Sequence, residues 1–156
     1  LRRLSGERPP DREERLRRLI AELRLMQGSA EILQRRLDLL RSAAAELRVA
    51  ESALRTLRGV EEGTPILIPL GGGTYIDAKL GALEQVIVGI GSDVSVEMEP
   101  EKALEDLSNR LEEMERVAKA VEQQLEQLLL QMEIREEGIS RLAAELRGEG
   151  RGVREA

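Results

Sequence analysis

Cysteine, histidine, phenylalanine and tryptophan are all missing from this chain, and Tyr75 is its one aromatic residue. Without cysteine there is no disulfide and no thiolate nucleophile. Without histidine there is no imidazole for proton transfer or metal ligation. No run approaches about 20 uninterrupted apolar residues, so no segment reads as a membrane-spanning helix. The opening LRRLSGERPP is charged and ends in proline, without the apolar centre of a secretory signal. These features make a cytoplasmic location the expectation. The shortage of aromatics has a structural meaning too. A compact globule draws much of its buried area from aromatic rings, so the apolar mass here has to be organised differently.

What is present is leucine, alanine, glutamate and arginine at a regular period, with 35% of residues charged. That composition belongs to long helices. A first seam with alternating 3-4 spacing passes through Leu16, Leu19, Leu23, Met26, Ala30, Leu33, Leu37, Leu40, Ala44, Leu47 and Leu54, with Glu51 its polar member. A second passes through Leu104, Leu107, Leu111, Met114, Ala118, Val121, Leu125, Leu128, Met132, Ile139, Leu142 and Leu146, with Arg135 its polar member. Sustained 3.5-residue periodicity means coiled coil. Asp11 suits the cap of the first helix, Gly59 and Gly63 its end, and Pro100 the first turn of the second. The spacing thus predicts helices over 11–58 and 100–147, each about 70 Å long at 1.5 Å per residue. Residues 1–10, which include Arg2, Arg3 and Arg8, and residues 148–156 read as flexible, solvated tails.

Equal helices on either side of an insert point to an antiparallel hairpin. The charge supports this, because residues 11–58 are net basic whereas 100–147 are net acidic. Setting Leu54 opposite Leu104 gives a register in which each seam alanine meets a large partner: Ala44 with Met114, Ala118 with Leu40, Ala30 with Leu128. The same register sets Arg135 opposite Leu23. The net charge of −6 argues against nucleic acid as a partner.

Between the seams the period changes. Four runs have strand character: 64–70, 74–80, 84–90 and 94–99. Ile66, Ile68 and Leu70 share one face of the first, and Ile76, Ala78 and Leu80 one face of the second. Val86, Val88 and Ile90 alternate along the third, and Val94, Val96 and Met98 along the fourth. Gly71, Gly72 and Gly73 make one reversal and Gly91–Ser92–Asp93 another, since glycine accepts positive φ at little steric cost. The run GGGTYIDAK lacks the Gly-Lys-Ser/Thr ending of a phosphate loop, which argues against a nucleotide site. Two hairpins with one aromatic residue bury too little to fold alone and leave open edges. The insert therefore reads as an assembly module, completed by strands from other chains. Its candidate residues are Ile66, Ile68, Leu70, Gly71, Gly72, Gly73, Ile76, Ala78, Leu80, Val86, Val88, Ile90, Val94 and Val96.

The stretches PILIPLGGGTYIDAKL (65–80) and VIVGIGSDVSVEM (86–98), with flanking helices of this length and placement, resemble the prefoldin family in its alpha-type form, which carries two hairpins rather than one. The resemblance implies an α+β fold dominated by helix: a long antiparallel coiled-coil hairpin whose two inserted β-hairpins join an intersubunit β-barrel. It implies a hexamer of two alpha-type and four beta-type subunits. It also implies ATP-independent capture of non-native proteins at the coiled-coil tips and delivery to a group II chaperonin, with no cofactor.

If the hairpins form the body, both helix ends meet at the far tip. There Arg135 breaks the apolar seam, and Gly28 and Gly138 are expected to interrupt the helices, each costing about 1 kcal/mol relative to alanine. Apolar residues also leave the seam in this half: Ile20, Leu25, Ile32, Leu39, Leu129, Leu130 and Ile134, against chiefly Val49 and Val117 elsewhere. The client-binding candidates are Leu16, Leu19, Ile20, Leu23, Leu25, Met26, Ile134, Ile139, Leu142 and Leu146. The seam leucines among them are core by periodicity alone; with the resemblance they take a double role, packed at rest and accessible as the tip frays. The competing reading is a passive coiled-coil spacer, which shares the helices but has no need of apolar tips. An enzyme is disfavoured, because the many carboxylates lie on helix faces with no shaped pocket around them.

Overall fold

Asp11 begins the ordered helix. Its Oδ1 accepts from the Glu14 amide at 2.8 Å and its carbonyl accepts from the Arg15 amide at 3.0 Å, the pattern of an N-cap. The computed structural model describes residues 11–155; the expected N-terminal tail, with Arg2, Arg3 and Arg8, lies outside them. The elements are helix α1 (Arg12–Arg58), strands β1 (Pro65–Gly71), β2 (Thr74–Lys79), β3 (Val86–Gly91) and β4 (Val94–Met98), and helix α2 (Pro100–Glu155). Two long helices thus enclose two small antiparallel β-hairpins in sequence, as the change of period predicts. No described helix is long and apolar enough to cross a membrane.

The described residues divide into two compact units, one of residues 39–118 and one of residues 11–38 with 119–155. In the first, the β unit, the hydrophobic centre is Leu54, Val88, Ala103 and Leu104, with Leu83, Val86, Met98 and Leu107 packed against it. Leu54 and Leu104 meet as the trial register requires. Arg58 bonds Glu101 at 2.6 Å and Arg48 pairs with Glu115, so the helices run antiparallel here. In the second, the terminal unit, Arg135 Nε lies 3.2 Å from Glu22 Oε2 and Arg12 pairs with both Glu145 and Glu149. The helices are antiparallel here as well, and the partner that Arg135 finds on α1 is Glu22, the residue before Leu23. Leu37, Val121 and Leu125 are buried, while the remaining seam residues of this unit are half-buried. A two-helix seam has no third helix to cover its outer rim.

Three local features depart from the sequence reading. First, α2 runs to Glu155, past the expected end at 147 and through Gly148, Gly150 and Gly152. Glycine propensity is a weak prior against cooperative elongation of a helix already formed, and Arg12 engages Glu149 beyond the expected end. Second, neither Gly28 nor Gly138 interrupts its helix. A Cβ at Gly138 would lie 3.2 Å from Leu19 Cδ1, so this glycine is a contact surface for the neighbouring helix. Third, both hairpins carry a bulge. Pro69 pairs with Tyr75 and Gly71 with Thr74, leaving Leu70 unpaired; Gly89 pairs with Ser95 and Gly91 with Val94, leaving Ile90 unpaired. An extra residue breaks strict alternation, so Leu70 and Ile90 do not continue the faces of Ile66–Ile68 and Val86–Val88.

The two reversals share one geometry. Gly72 and Gly73 have φ of 57° and 75°, and Ser92 and Asp93 have φ of 50° and 60°. Positive φ at both central residues is the type I′ turn that matches strand twist. The first hairpin meets this demand with glycine; the second meets it with two residues that carry a Cβ. The double substitution Ser92→Asn/Asp93→Gly is therefore expected to stabilise the second hairpin by about 1 kcal/mol, read as a higher thermal midpoint of the assembled protein with unchanged sedimentation. No rise, or a fall, counts against the strain.

Candidate functional site

Two surfaces left uncovered by the chain's own fold lie in different units. In the β unit the strands form two separate two-stranded sheets, β1–β2 and β3–β4. In β1–β2, Ile66 opposes Ala78 and Ile68 opposes Ile76 on one face; Leu67 opposes Asp77 and Pro69 opposes Tyr75 on the other. Apolar groups are exposed on both faces, Leu67 at 64% and Ile68 at 43%. In β3–β4, Ile87 is exposed at 75% and Ile90, Val94 and Val96 are also exposed. A pair of strands with apolar side chains in water and free backbone on its outer edges is a template for further strands.

Not every assembly candidate faces outward. Val88 is buried, and Val86 and Met98 pack with it against Leu54, Ala103 and Leu104. They face this chain's own helices, because alternation along β3 has to give one face to the coiled coil and one to solvent. Ile66, Ala78 and Leu80 are half-buried, while Ile68, Leu70, Ile76, Ile90, Val94 and Val96 are exposed. Gly71, Gly72 and Gly73 form the reversal, all at positive φ.

Arg110 holds the second hairpin to α2. Its Nη1 donates to the Gly89 carbonyl at 2.7 Å and its Nη2 lies 2.8 Å from Asp106 Oδ2. Periodicity does not single this residue out: it lies in the flank column beside the seam, seven residues from Ala103 and from Val117. Beside it runs an apolar groove of about 820 Å³ whose lining includes Leu40, Leu47, Leu54, Val88, Met114 and Val117. The groove continues the hydrophobic surface of β3 onto the helices.

In the terminal unit the client candidates split into two groups. Leu16, Leu19, Leu23, Met26, Ile139, Leu142 and Leu146 are half-buried in the seam, and Ile20 is half-buried at its edge. Leu25 is 75% exposed and Ile134 is 58% exposed, along with Ile32, Leu129 and Leu130. Arg135 is satisfied inside the seam: besides Glu22 it donates to the Gln131 side chain at 2.9 Å and the Gln131 carbonyl at 3.2 Å. A charge held this way fixes register more than it adds stability. The seam is thus thinly covered in a unit that also carries several apolar side chains in water.

Comparison with known proteins gives a single answer. A family model described as "Prefoldin subunit" matches residues 26–145. The chain is 37% identical to the prefoldin subunit alpha of Methanothrix thermoacetophila over 69% of each chain. It is 32% identical to the prefoldin subunit alpha of Pyrococcus horikoshii, over 72% of this chain and 77% of that one. A solved structure, the cryo-EM structure of filamentous PFD from Methanocaldococcus jannaschii, superimposes with a TM-score of 0.62 at 25% identity, covering 71% of this chain and 92% of that one.

The Arg110 link predicts a specific defect. Arg110→Ala is expected to speed amide hydrogen exchange across residues 86–98 by roughly tenfold or more, while exchange in 65–79 stays unchanged, since a charge-assisted bond contributes about 1.5–3 kcal/mol. Equal protection in wild type and variant rules the tether out.

Proposed function

The chain belongs to the prefoldin family, a family of non-enzymatic chaperones, and from that premise we propose that it captures non-native proteins with the apolar residues of its terminal unit and delivers them to a group II chaperonin. It works without ATP, in the cytoplasm, as the alpha-type member of a hexamer with four beta-type subunits. The exposed hairpin residues Ile68, Leu70, Ile76, Ile90, Val94 and Val96 are the assembly surface, where strands of neighbouring subunits close a β-barrel. The observation that carries the reading is the pairing of a half-covered seam with Leu25, Ile32, Leu130 and Ile134 standing in water beside it.

The chemistry of capture follows from those groups. An unfolded client exposes apolar side chains and unpaired backbone. Burying each CH₂ group against the chaperone contributes about 0.8 kcal/mol, and many weak contacts spread over several subunits add through avidity. Methionine and leucine adapt to varied shapes, which suits a partner without fixed structure. The surface arginines and glutamates keep the apolar positions apart and the assembly soluble.

The test uses the complete complex with the beta-type subunit. Replacing Leu19, Leu23, Leu142 and Leu146 with serine is expected to preserve the hexamer by sedimentation but to reduce suppression of client aggregation, measured by light scattering without nucleotide, at least severalfold. Full suppression by this variant would place capture elsewhere. A wild-type complex that never delays aggregation would leave the passive spacer as the better account.

A further inference from the structure

Each hairpin has two outer edges, and the two are not alike. In an antiparallel pair, residues that bond to the partner strand alternate with residues whose N–H and C=O point away from it. The base of the first hairpin fixes the phase. The Leu80 amide donates to the Thr64 carbonyl at 2.9 Å, and the Leu80 carbonyl accepts from the Gly63 amide at 2.7 Å. Counting by two along the register, Ile66 with Ala78 and Ile68 with Ile76 are bonded pairs. Pro65 with Lys79, Leu67 with Asp77 and Pro69 with Tyr75 turn their backbone outward. On the β1 edge two of these three residues are proline, which has no N–H. Both prolines spare the internal ladder and remove donors from the outer edge alone. The β2 edge, Tyr75, Asp77 and Lys79, keeps every donor and acceptor, and all three residues are exposed.

The second hairpin repeats the arrangement by other means. Gly91 with Val94 closes it as Gly71 with Thr74 closes the first. Gly89 with Ser95 then stands where Pro69 with Tyr75 stands, and Ile87 with Glu97 where Leu67 with Asp77 stands. The backbone of Ile87 and Gly89 therefore points away from β4. At Gly89 the Arg110 guanidinium already fills that place, its Nη1 donating to the carbonyl at 2.7 Å while Asp106 holds its Nη2 at 2.8 Å. A strand laid along β3 would have to displace this arginine. On the β4 edge Ser95 and Glu97 are exposed, and neither lacks an N–H.

Given the hairpins as the assembly surface, a premise taken from the proposed function, we propose that neighbouring subunits add an extended strand to β2 and to β4, and that β1 and β3 are closed to strand addition by Pro65, Pro69 and Arg110. The occupant follows from the edge: alternating N–H and C=O groups at strand spacing are matched in full only by another extended backbone. In the assembled barrel, backbone ladders join β2 and β4 to their neighbours. β1 and β3 meet theirs through side chains such as Leu67 and Ile87, 64% and 75% exposed. One open edge per hairpin also limits unwanted growth, since a hairpin with two open edges can propagate in both directions.

The test is made on the complete complex with the beta-type subunit, by amide hydrogen exchange at single-residue resolution. Relative to their intrinsic rates, Tyr75, Asp77, Lys79, Ser95 and Glu97 are expected to exchange at least about tenfold more slowly than Leu67 and Ile87, which lie directly across from Asp77 and Glu97. Equal protection of Leu67 and Asp77, or of Ile87 and Glu97, overturns the proposal. Proline substitution gives a second readout, by sedimentation over a concentration series, with alanine at the same site as reference so that loss of the side chain cancels. Asp77→Pro is expected to assemble about tenfold more weakly than Asp77→Ala, equivalent to about 1.4 kcal/mol, and Leu67→Pro as strongly as Leu67→Ala. The reverse order also overturns it. If the parent chain forms no complex, the assembly premise fails and the edge assignment with it. A complex that forms with the Asp77 and Glu97 amides unprotected leaves that premise standing and removes only the edge assignment. If Asp77→Pro sediments like Asp77→Ala but lowers holding of a guanidine-unfolded monomeric enzyme, the β2 edge takes clients and the proposal fails.

Discussion

A seam formed by only two helices can hide just part of itself, and most other properties of this protein follow from that limit. Each heptad position has one facing helix and no third helix to close over it. Most seam residues are consequently half-buried, and full burial is confined to a few positions such as Leu37, Ala44, Val121 and Leu125. The best-covered centre forms where a third element does arrive: Val88 of β3 closes over Leu54, Ala103 and Leu104. Where no third element arrives, apolar surface stays reachable. The same limit acts on the strands. Each hairpin is a pair without neighbours, so its outer edges and much of its apolar surface wait for another chain.

Charge supplies what the thin seam lacks in specificity. Exposed ion pairs such as Arg58–Glu101 add little stability singly, but they occur where the register needs marking: Arg48 with Glu115 and Arg58 with Glu101 in the β unit, Arg135 with Glu22 and Arg12 with Glu145 in the terminal unit. A leucine seam tolerates sliding by a heptad; these pairs do not. Glu51, the other polar seam residue, bonds Arg55 of its own helix at 2.7 Å, so it avoids an unpaired charge without linking the helices.

Much of this was readable from residue order because its causes are periodic. The 3-4 spacing predicts both helices and their register, and the switch to alternating β-branched residues predicts four strands within a residue or two of their bounds. The reversals were readable where glycine announces them. The differences have physical reasons too. Leu70 and Ile90 fall into bulges that alternation alone cannot foresee. Val88 turns inward because one face of β3 has to meet the coiled coil, and a pattern of alternating valines does not say which. Arg110 flanks the seam in a column shared with Ala103 and Val117, and only the fold brings the Gly89 carbonyl to it. Gly138 reads as a weak point until the helix opposite is in place, when it proves to be where Leu19 rests. The split of the client candidates into half-buried seam and exposed flank was readable from the heptad itself, since Leu25 and Ile134 fall outside it.

Tyr75, opposite Pro69 on the first hairpin and 59% exposed, gives the molecule an optical property that follows from its composition. In a chain without tryptophan or phenylalanine its phenol is the sole intrinsic fluorophore. It sits on the hairpin that has most apolar surface to lose to a neighbour. Emission from the unlabelled alpha-type chain therefore reports a single address, and quenching or anisotropy at that address can time the docking of neighbouring strands without a dye.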